Sequence, residues 1–209
     1  MRKKILIFAL SAIIVIAAFA GGCAEGQTEE AVTSVTDDAG LTYTLFSVKG
    51  SPQGDYSYVK VTAYSGKEDS GNTIVKVTVP SEVTIDGTVH KVNVVGSLVF
   101  YEKNVSEVEI SEGVEQIESF AFGYCGATTV TLPSTIKKIG EYAFINCNSL
   151  RKINLNATTP PEIGGYVFMF YREDHNVYEV NSILQIKVPK TSYDAYKSAW
   201  SEYEKIIVK

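Results

Sequence analysis

At 209 residues, 45% of them hydrophobic, the chain has enough apolar material for one globular domain with short extras. Its formal charge of −5 argues against a nucleic-acid binder, because phosphates demand a basic surface. His90 and His175 are the two histidines, and Cys23, Cys125 and Cys147 contain no C-x-x-C pair, so no zinc-type ligand set is present. Thirteen tyrosines against two methionines and one tryptophan tilt the chain toward β structure and half-exposed aromatic surface.

The chain opens with Arg2-Lys3-Lys4, then a mostly apolar run from Ile5 to Ala20. A spanning helix wants about twenty apolar residues. This run is shorter and has the flanks of a signal peptide, predicted over residues 1–22. Gly21-Gly22-Cys23 places small residues directly before a cysteine and resembles the bacterial lipobox, with Ala20 where leucine is usual. That resemblance implies lipid modification of Cys23 and anchoring to a membrane. Removing Arg2, Lys3 and Lys4 from 19 basic residues leaves 16 against 24 acidic ones, a mature charge near −8. An ordinary cleaved signal peptide and a retained anchor are the alternatives.

Residues 23–40 are rich in Glu, Thr, Asp and Ala without a periodic apolar set, which predicts a disordered acidic tether. Glu25, Glu29 and Glu30 resemble the surface-export signals of Bacteroidetes lipoproteins, though a merely solvated linker reads the same way. From Leu41 the pattern alternates with period two. Leu41–Leu45 and Tyr58–Tyr64 read as antiparallel strands, broken by Gly50, Pro52 and Gly54. Ile74–Pro80 is the next strand, and Val83–Val92 a hairpin around Asp86-Gly87. Residues 41–92 are expected to be an N-terminal β cap.

Residues 93–209 carry a repeat. Val108, Ile110, Val114, Ile117, Ala121, Phe122 and Cys125 recur twenty-two residues later as Val130, Leu132, Ile136, Ile139, Ala143, Phe144 and Cys147. A fixed period in this range marks stacked units, each too small to bury its apolar face alone. A divergent copy precedes them, with Val95, Val99 and Phe100. Another follows at Ile153–Leu155 and Ile163–Phe168, interrupted by an insertion from Met169 to Ser182. Ile186–Val188 is the last such strand. Ser192–Ser201 has the spacing of a short amphipathic helix, with Tyr193, Tyr196, Ala199 and Trp200 toward one face and Ser192 as N-cap. Ile206–Val208 closes the chain as a strand.

The strings VTLPSTIKKIGEYAFINCNSL, NATTPPEIGGYVF and VPKTSYDAYKSAW resemble the BspA-like leucine-rich-repeat proteins of bacterial surfaces. The resemblance covers about residues 72–209. It implies a β-rich fold with minor α content: a short right-handed leucine-rich-repeat solenoid, one parallel strand per repeat, with an N-terminal β cap and a C-terminal capping helix. It implies surface adhesion or matrix binding and supplies no catalytic residues.

The alternation of V-x-[IL] agrees, since its outer residues face one way and its middle residue the other. Val108, Ile110, Val130, Leu132, Ile153, Leu155, Ile186 and Val188 should form inward columns. Val114/Ile117 and Ile136/Ile139 should line the opposite wall, and Phe100, Phe122, Phe144 and Phe168 a third column. Cys125 and Cys147 share one phase, about 5 Å apart on adjacent rungs. That distance permits a disulfide, but parallel stacking disfavours its torsion, so buried free thiols are the favoured expectation and a bridge the alternative.

Three surfaces are candidates for binding. The outward strand row is Glu109, Thr131, Asn154 and Lys187, flanked by Glu107, Thr129, Lys152 and Gln185; it also reads as an ordinary solvated sheet face. A second row holds Phe120, Tyr142 and Tyr166, with Tyr101 and Tyr124 nearby; such rings either anchor a partner or seal an edge. The insertion, with Tyr171, Arg172, Glu173, Asp174, His175 and Tyr178, is the third. No nucleophile–base set, phosphate loop or metalloprotease motif is present. The sequence therefore predicts a lipid-anchored, non-catalytic protein of the bacterial cell envelope, displayed outward, without cofactor or metal. Its predicted role is adhesion to a host or neighbouring-cell macromolecule, with a glycan-binding accessory lipoprotein as the alternative.

Overall fold

The computed structural model describes residues 28–52, 54–70 and 74–209. The expected signal peptide and Cys23 lie outside the described residues.

The chain begins with an antiparallel meander of β1 (Thr28–Thr36), β2 (Leu41–Lys49) and β3 (Tyr56–Tyr64). β2 and β3 are the two strands that alternation predicts. Within the segment expected as a disordered tether over 23–40, β1 is instead a strand from Thr28 to Thr36, and residues 23–27 lie outside the described residues. The side chains of β1 are almost all exposed, so composition carries no burial signal. It is ordered by backbone pairing with β2 and by a few polar contacts: Tyr58 Oη donates to Glu29 at 2.7 Å, and Lys60 Nζ lies 3.7 Å from the same carboxylate. At the β1–β2 turn, Asp37 Oδ1 accepts the Ala39 and Leu41 amides, both at 2.9 Å, and Gly40 takes φ +88°.

After β4 (Lys76–Val79) comes the hairpin of β5 (Glu82–Ile85) and β6 (Thr88–Val95), closed by Asp86 at φ +50° and Gly87 at φ +80°. Left-handed values at both turn residues suit the right-handed strand twist. Three repeats then lay down strands in pairs: β7 (Glu107–Ile110) and β8 (Gln116–Ile117), β9 (Thr129–Leu132) and β10 (Lys138–Ile139), β11 (Lys152–Leu155) and β12 (Glu162–Ile163). The insertion is itself a hairpin, β13 (Met169–Arg172) with β14 (Val177–Val180). β15 (Gln185–Lys187), α1 (Tyr193–Ala199) and β16 (Ile207–Val208) complete the chain, with single 3-10 segments on either side of α1.

Among the described residues the strands make two large sheets. One runs β16-β15-β11-β9-β7-β4, and the other β1-β2-β3-β6-β8-β10-β12 with β5 beside β6. Each repeat gives its first strand to one sheet and its second to the other, all in parallel register: Val108 pairs Val130, Val130 pairs Ile153, and Ile153 pairs Ile186. β4 stands beside β7 and β6 beside β8. The segment expected as a cap thus already supplies a strand to each sheet.

Between the sheets lies one apolar core. All eight inward residues of the V-x-[IL] columns are buried, as are Val114, Ile117, Ile136 and Ile139. Phe100, Phe122, Phe144 and Phe168 stack with centroids 4.8, 4.8 and 5.6 Å apart. Burying each such ring contributes about 1.5–3 kcal/mol. At the far end Phe168 meets Trp200 and Tyr203, and Trp200 Nε1 donates to Pro161 O at 3.1 Å. α1 turns Tyr196 and Trp200 inward and leaves Tyr193 half-buried, but Ala199 is exposed, against expectation. The helix is only seven residues long, and its buried side is filled by Tyr196 and by Trp200 just past its end, which leaves Ala199 to one side. Ser192 holds the N-cap position without a side-chain cap bond, because it is itself buried behind a 3-10 turn.

Candidate functional site

The repeats turn from their second strands through left-handed residues, two in each except the last, which has one. Leu98, Phe120, Tyr142 and Tyr166 occupy one position, with φ between +57° and +63°, and Glu102, Tyr124 and Asn146 the other, with φ between +53° and +57°. Such values cost a residue with a side chain about 1–2 kcal/mol. Backbone hydrogen bonds from rung to rung offset this. The Phe120 and Tyr142 amides donate to Glu141 O and Gly165 O at 3.2 and 3.0 Å, and those of Tyr124 and Asn146 to Ile145 O and Met169 O at 2.8 and 2.9 Å. Backbone geometry therefore throws the side chains outward, in line.

In the first column Phe120 and Tyr142 stack at 4.8 Å, and Tyr142 and Tyr166 at 5.2 Å and 7° from parallel. The β13–β14 hairpin folds onto this column. Tyr178 reaches Tyr166 at 4.2 Å and Tyr142 at 6.0 Å, and Tyr171 lies 5.1 Å from Tyr178. The hairpin is tied to the second column by the Tyr171 amide, which donates to Asn146 Oδ1 at 2.7 Å, while Tyr171 Oη donates to Asn176 Oδ1 at 2.6 Å. Two surfaces that the sequence presents separately are thus one. Between the columns and the hairpin lies a cavity of about 260 Å³, walled by Phe120, Tyr124, Tyr142, Asn146, Tyr171 and Tyr178. Burial, then a hydrogen bond with Tyr178 and the charge of Glu141, push the Tyr142 phenol up to about 12. Tyr101 meets Tyr124 edge-on at 5.5 Å on the same side. Sequence reasoning missed Asn146, although its phase, twenty-two residues after Tyr124, marks it.

The strand row is assembled in the expected register: Glu109 beside Thr131, Thr131 beside Asn154, Asn154 beside Lys187, with Glu107, Thr129, Lys152 and Gln185 in the flanking row. Much of it is satisfied internally. Lys76 Nζ lies 2.8 Å from the Glu109 carboxylate, and Asn154 Nδ2 donates to Thr131 Oγ1 at 3.2 Å. In the hairpin, Arg172 Nε pairs with Glu179 at 3.1 Å, and His175 lies 3.3 Å from Asp174, both well exposed. Cys125 and Cys147 are free and buried. The Cys147 thiol donates to Phe122 O at 2.9 Å.

Residues 93–202 match the BspA type leucine rich repeat region, in six copies. That is over half of the sequence. The chain belongs to the BspA-type leucine-rich-repeat family. Among solved structures it is similar to a leucine rich cell surface protein from Faecalibacterium prausnitzii A2-165, at 23% identity and TM-score 0.49, over 78% of this chain and 38% of that one. It is also similar to a leucine-rich repeat protein from Bacteroides capillosus, at 20% identity and TM-score 0.41, over 76% and 83%. A Treponema pallidum leucine rich repeat protein shares 21% identity at TM-score 0.43, over 74% and 71%. This chain thus spans about two fifths of the Faecalibacterium protein's length. No curated protein matches. In this member of the BspA type, the A-F phrase of the repeat supplies the buried phenylalanine column, and the residue before it the outward aromatic row.

Proposed function

We propose that this chain is a non-catalytic surface protein that adheres to a macromolecule of a host or neighbouring cell through its aromatic edge. The observation that carries this is the run of rings from Phe120 through Tyr142, Tyr166 and Tyr178 to Tyr171. Tyr166 and Tyr178 are still 39% and 40% exposed. Large aromatic rings such as tyrosine are among the residues that dominate protein interfaces. The strand row, in which Asn154 is bonded to Thr131 and Glu109 is held by Lys76, is the lesser surface.

In this reading the repeats form a short right-handed solenoid, closed by the N-terminal β strands and by α1. Cys23 carries a lipid that holds the protein on the envelope, facing outward.

The test is adhesion of cells expressing the full chain to matrix proteins and to polysaccharides, with protease shaving of intact cells alongside. Replacing Tyr166 and Tyr178 together should abolish binding to a protein ligand, and changes at Glu109, Thr131 and Asn154 should not. Dependence on the strand row alone, or protection from external protease, defeats the proposal. Polysaccharide binding lost with Tyr142 and Tyr166 favours a glycan-binding accessory role.

A further inference from the structure

The cavity between the left-handed columns is small. At about 260 Å³ it falls below the roughly 300–1,000 Å³ of small-molecule sites and suits one side chain. Its walls are chiefly aromatic, and among the described residues lining it none carries a charge. Two acidic residues stand beside its rings or beside their neighbours. Glu141 acts on Tyr142, and Glu102, one rung before Tyr124 in the same column, acts on Tyr101. The arginine of the hairpin, Arg172, is already held by Glu179. The chain as a whole carries −5.

We propose that this cavity receives a lysine or arginine side chain of a protein partner, its cationic head resting against the tyrosine rings within an acidic rim. Ring quadrupoles attract cations, most strongly where water is excluded. A sugar lies flat across one broad exposed ring, whereas this cavity is of side-chain width and Tyr178 on its wall is tilted by 45° against both Tyr142 and Tyr171, so that a compact cation meets rings from several sides. The proposal rests on the aromatic edge being the adhesive surface and names the chemistry it selects.

Full-length protein in detergent micelles, labelled with carbon-13 in its tyrosine rings, provides the test by NMR titration. The probes are tetramethylammonium, its neutral counterpart tert-butanol, and maltotetraose. The ion should move the Tyr142, Tyr171 and Tyr178 signals saturably, at a concentration at least ten-fold lower than tert-butanol. Tyr178→Leu, which keeps an apolar side chain in an exposed strand, should weaken that response ten-fold or more, and Tyr178→Phe should preserve it. Equal response to ion and alcohol, response to maltotetraose alone, or a Tyr178→Leu protein that behaves as wild type each overturns the proposal. Adhesion of Tyr178→Leu cells separates the two levels. Adhesion lost while the ion leaves the wild-type rings unmoved overturns the cation and leaves the adhesive edge standing; adhesion unchanged overturns both.

Discussion

The rings of Phe122 and Phe144 lie 4.8 Å apart and 8° from parallel, and both are buried. They are the same residue of successive repeats, so their contact joins one rung to the next. Phe122→Ala removes a ring from the middle of the column, between Phe100 and Phe144. Lost transfer energy plus the cavity left behind should cost about 3–5 kcal/mol. In a urea melt the midpoint should fall sharply or the cooperative transition disappear; an unchanged melt contradicts the column.

The two thiols make stability depend on alkaline pH. Burial pushes Cys125 up to about 11, and burial, then the neighbouring Cys125, also raises Cys147. Burial likewise raises the phenols of Tyr43, Tyr58 and Tyr196, and Tyr203 to about 12. Raised values mean that the folded chain keeps protons the unfolded chain releases. This stabilisation is complete below the unfolded thiol value of about 8.5 and is lost as pH climbs through about 11. Urea midpoints should therefore fall between pH 8.5 and 11. Thiol titration at pH 8 should find Cys125 and Cys147 silent when folded and reactive in denaturant.

Lys60 fastens β1 to the body of the protein. Its ammonium lies 2.8 Å from Glu118 and 3.7 Å from Glu29 of β1, and 5.0 Å from the centre of the Phe46 ring. Lys60→Met keeps the apolar stem and removes the charge. A cation–π contact and a partly buried ion pair lost together should cost about 1–2 kcal/mol. The loss should fall locally, as faster amide exchange across Thr28–Thr36, with exchange in β9 and β11 unchanged. Uniform acceleration throughout the chain counts against this.

Leu98 stands first in the left-handed column that Phe120 continues, at φ +63°, and is 57% exposed. Leu98→Gly relieves about 1–2 kcal/mol of backbone strain and adds about 0.5–1 kcal/mol of chain entropy to the unfolded state. Thermal melts should show the variant as stable as the wild type or slightly more so, although it deletes a large apolar side chain. A clear loss of stability means that Leu98 packs against something of value.

The repeat was readable because its signal is burial. Val108, Val130, Ile153 and Ile186 recur in phase because each must enter the same core, and hydrophobic spacing reports that directly. β1 left no such trace: backbone pairing holds it, and backbone groups are the same in every residue. The aromatic row lay half in view. The period aligned Phe120, Tyr142 and Tyr166, yet nothing local foretold that the insertion would fold as a hairpin and lay Tyr178 on Tyr166.

By itself, then, the sequence determined the stacked repeat, its buried columns and the free or bridged choice for two cysteines, since these follow from periodicity and phase. Only the tertiary structure decided that the thiols are free, that β1 is a strand, and that the aromatic row and the hairpin enclose one cavity. Those outcomes depend on contacts between segments far apart in the chain, and such contacts write no period into it.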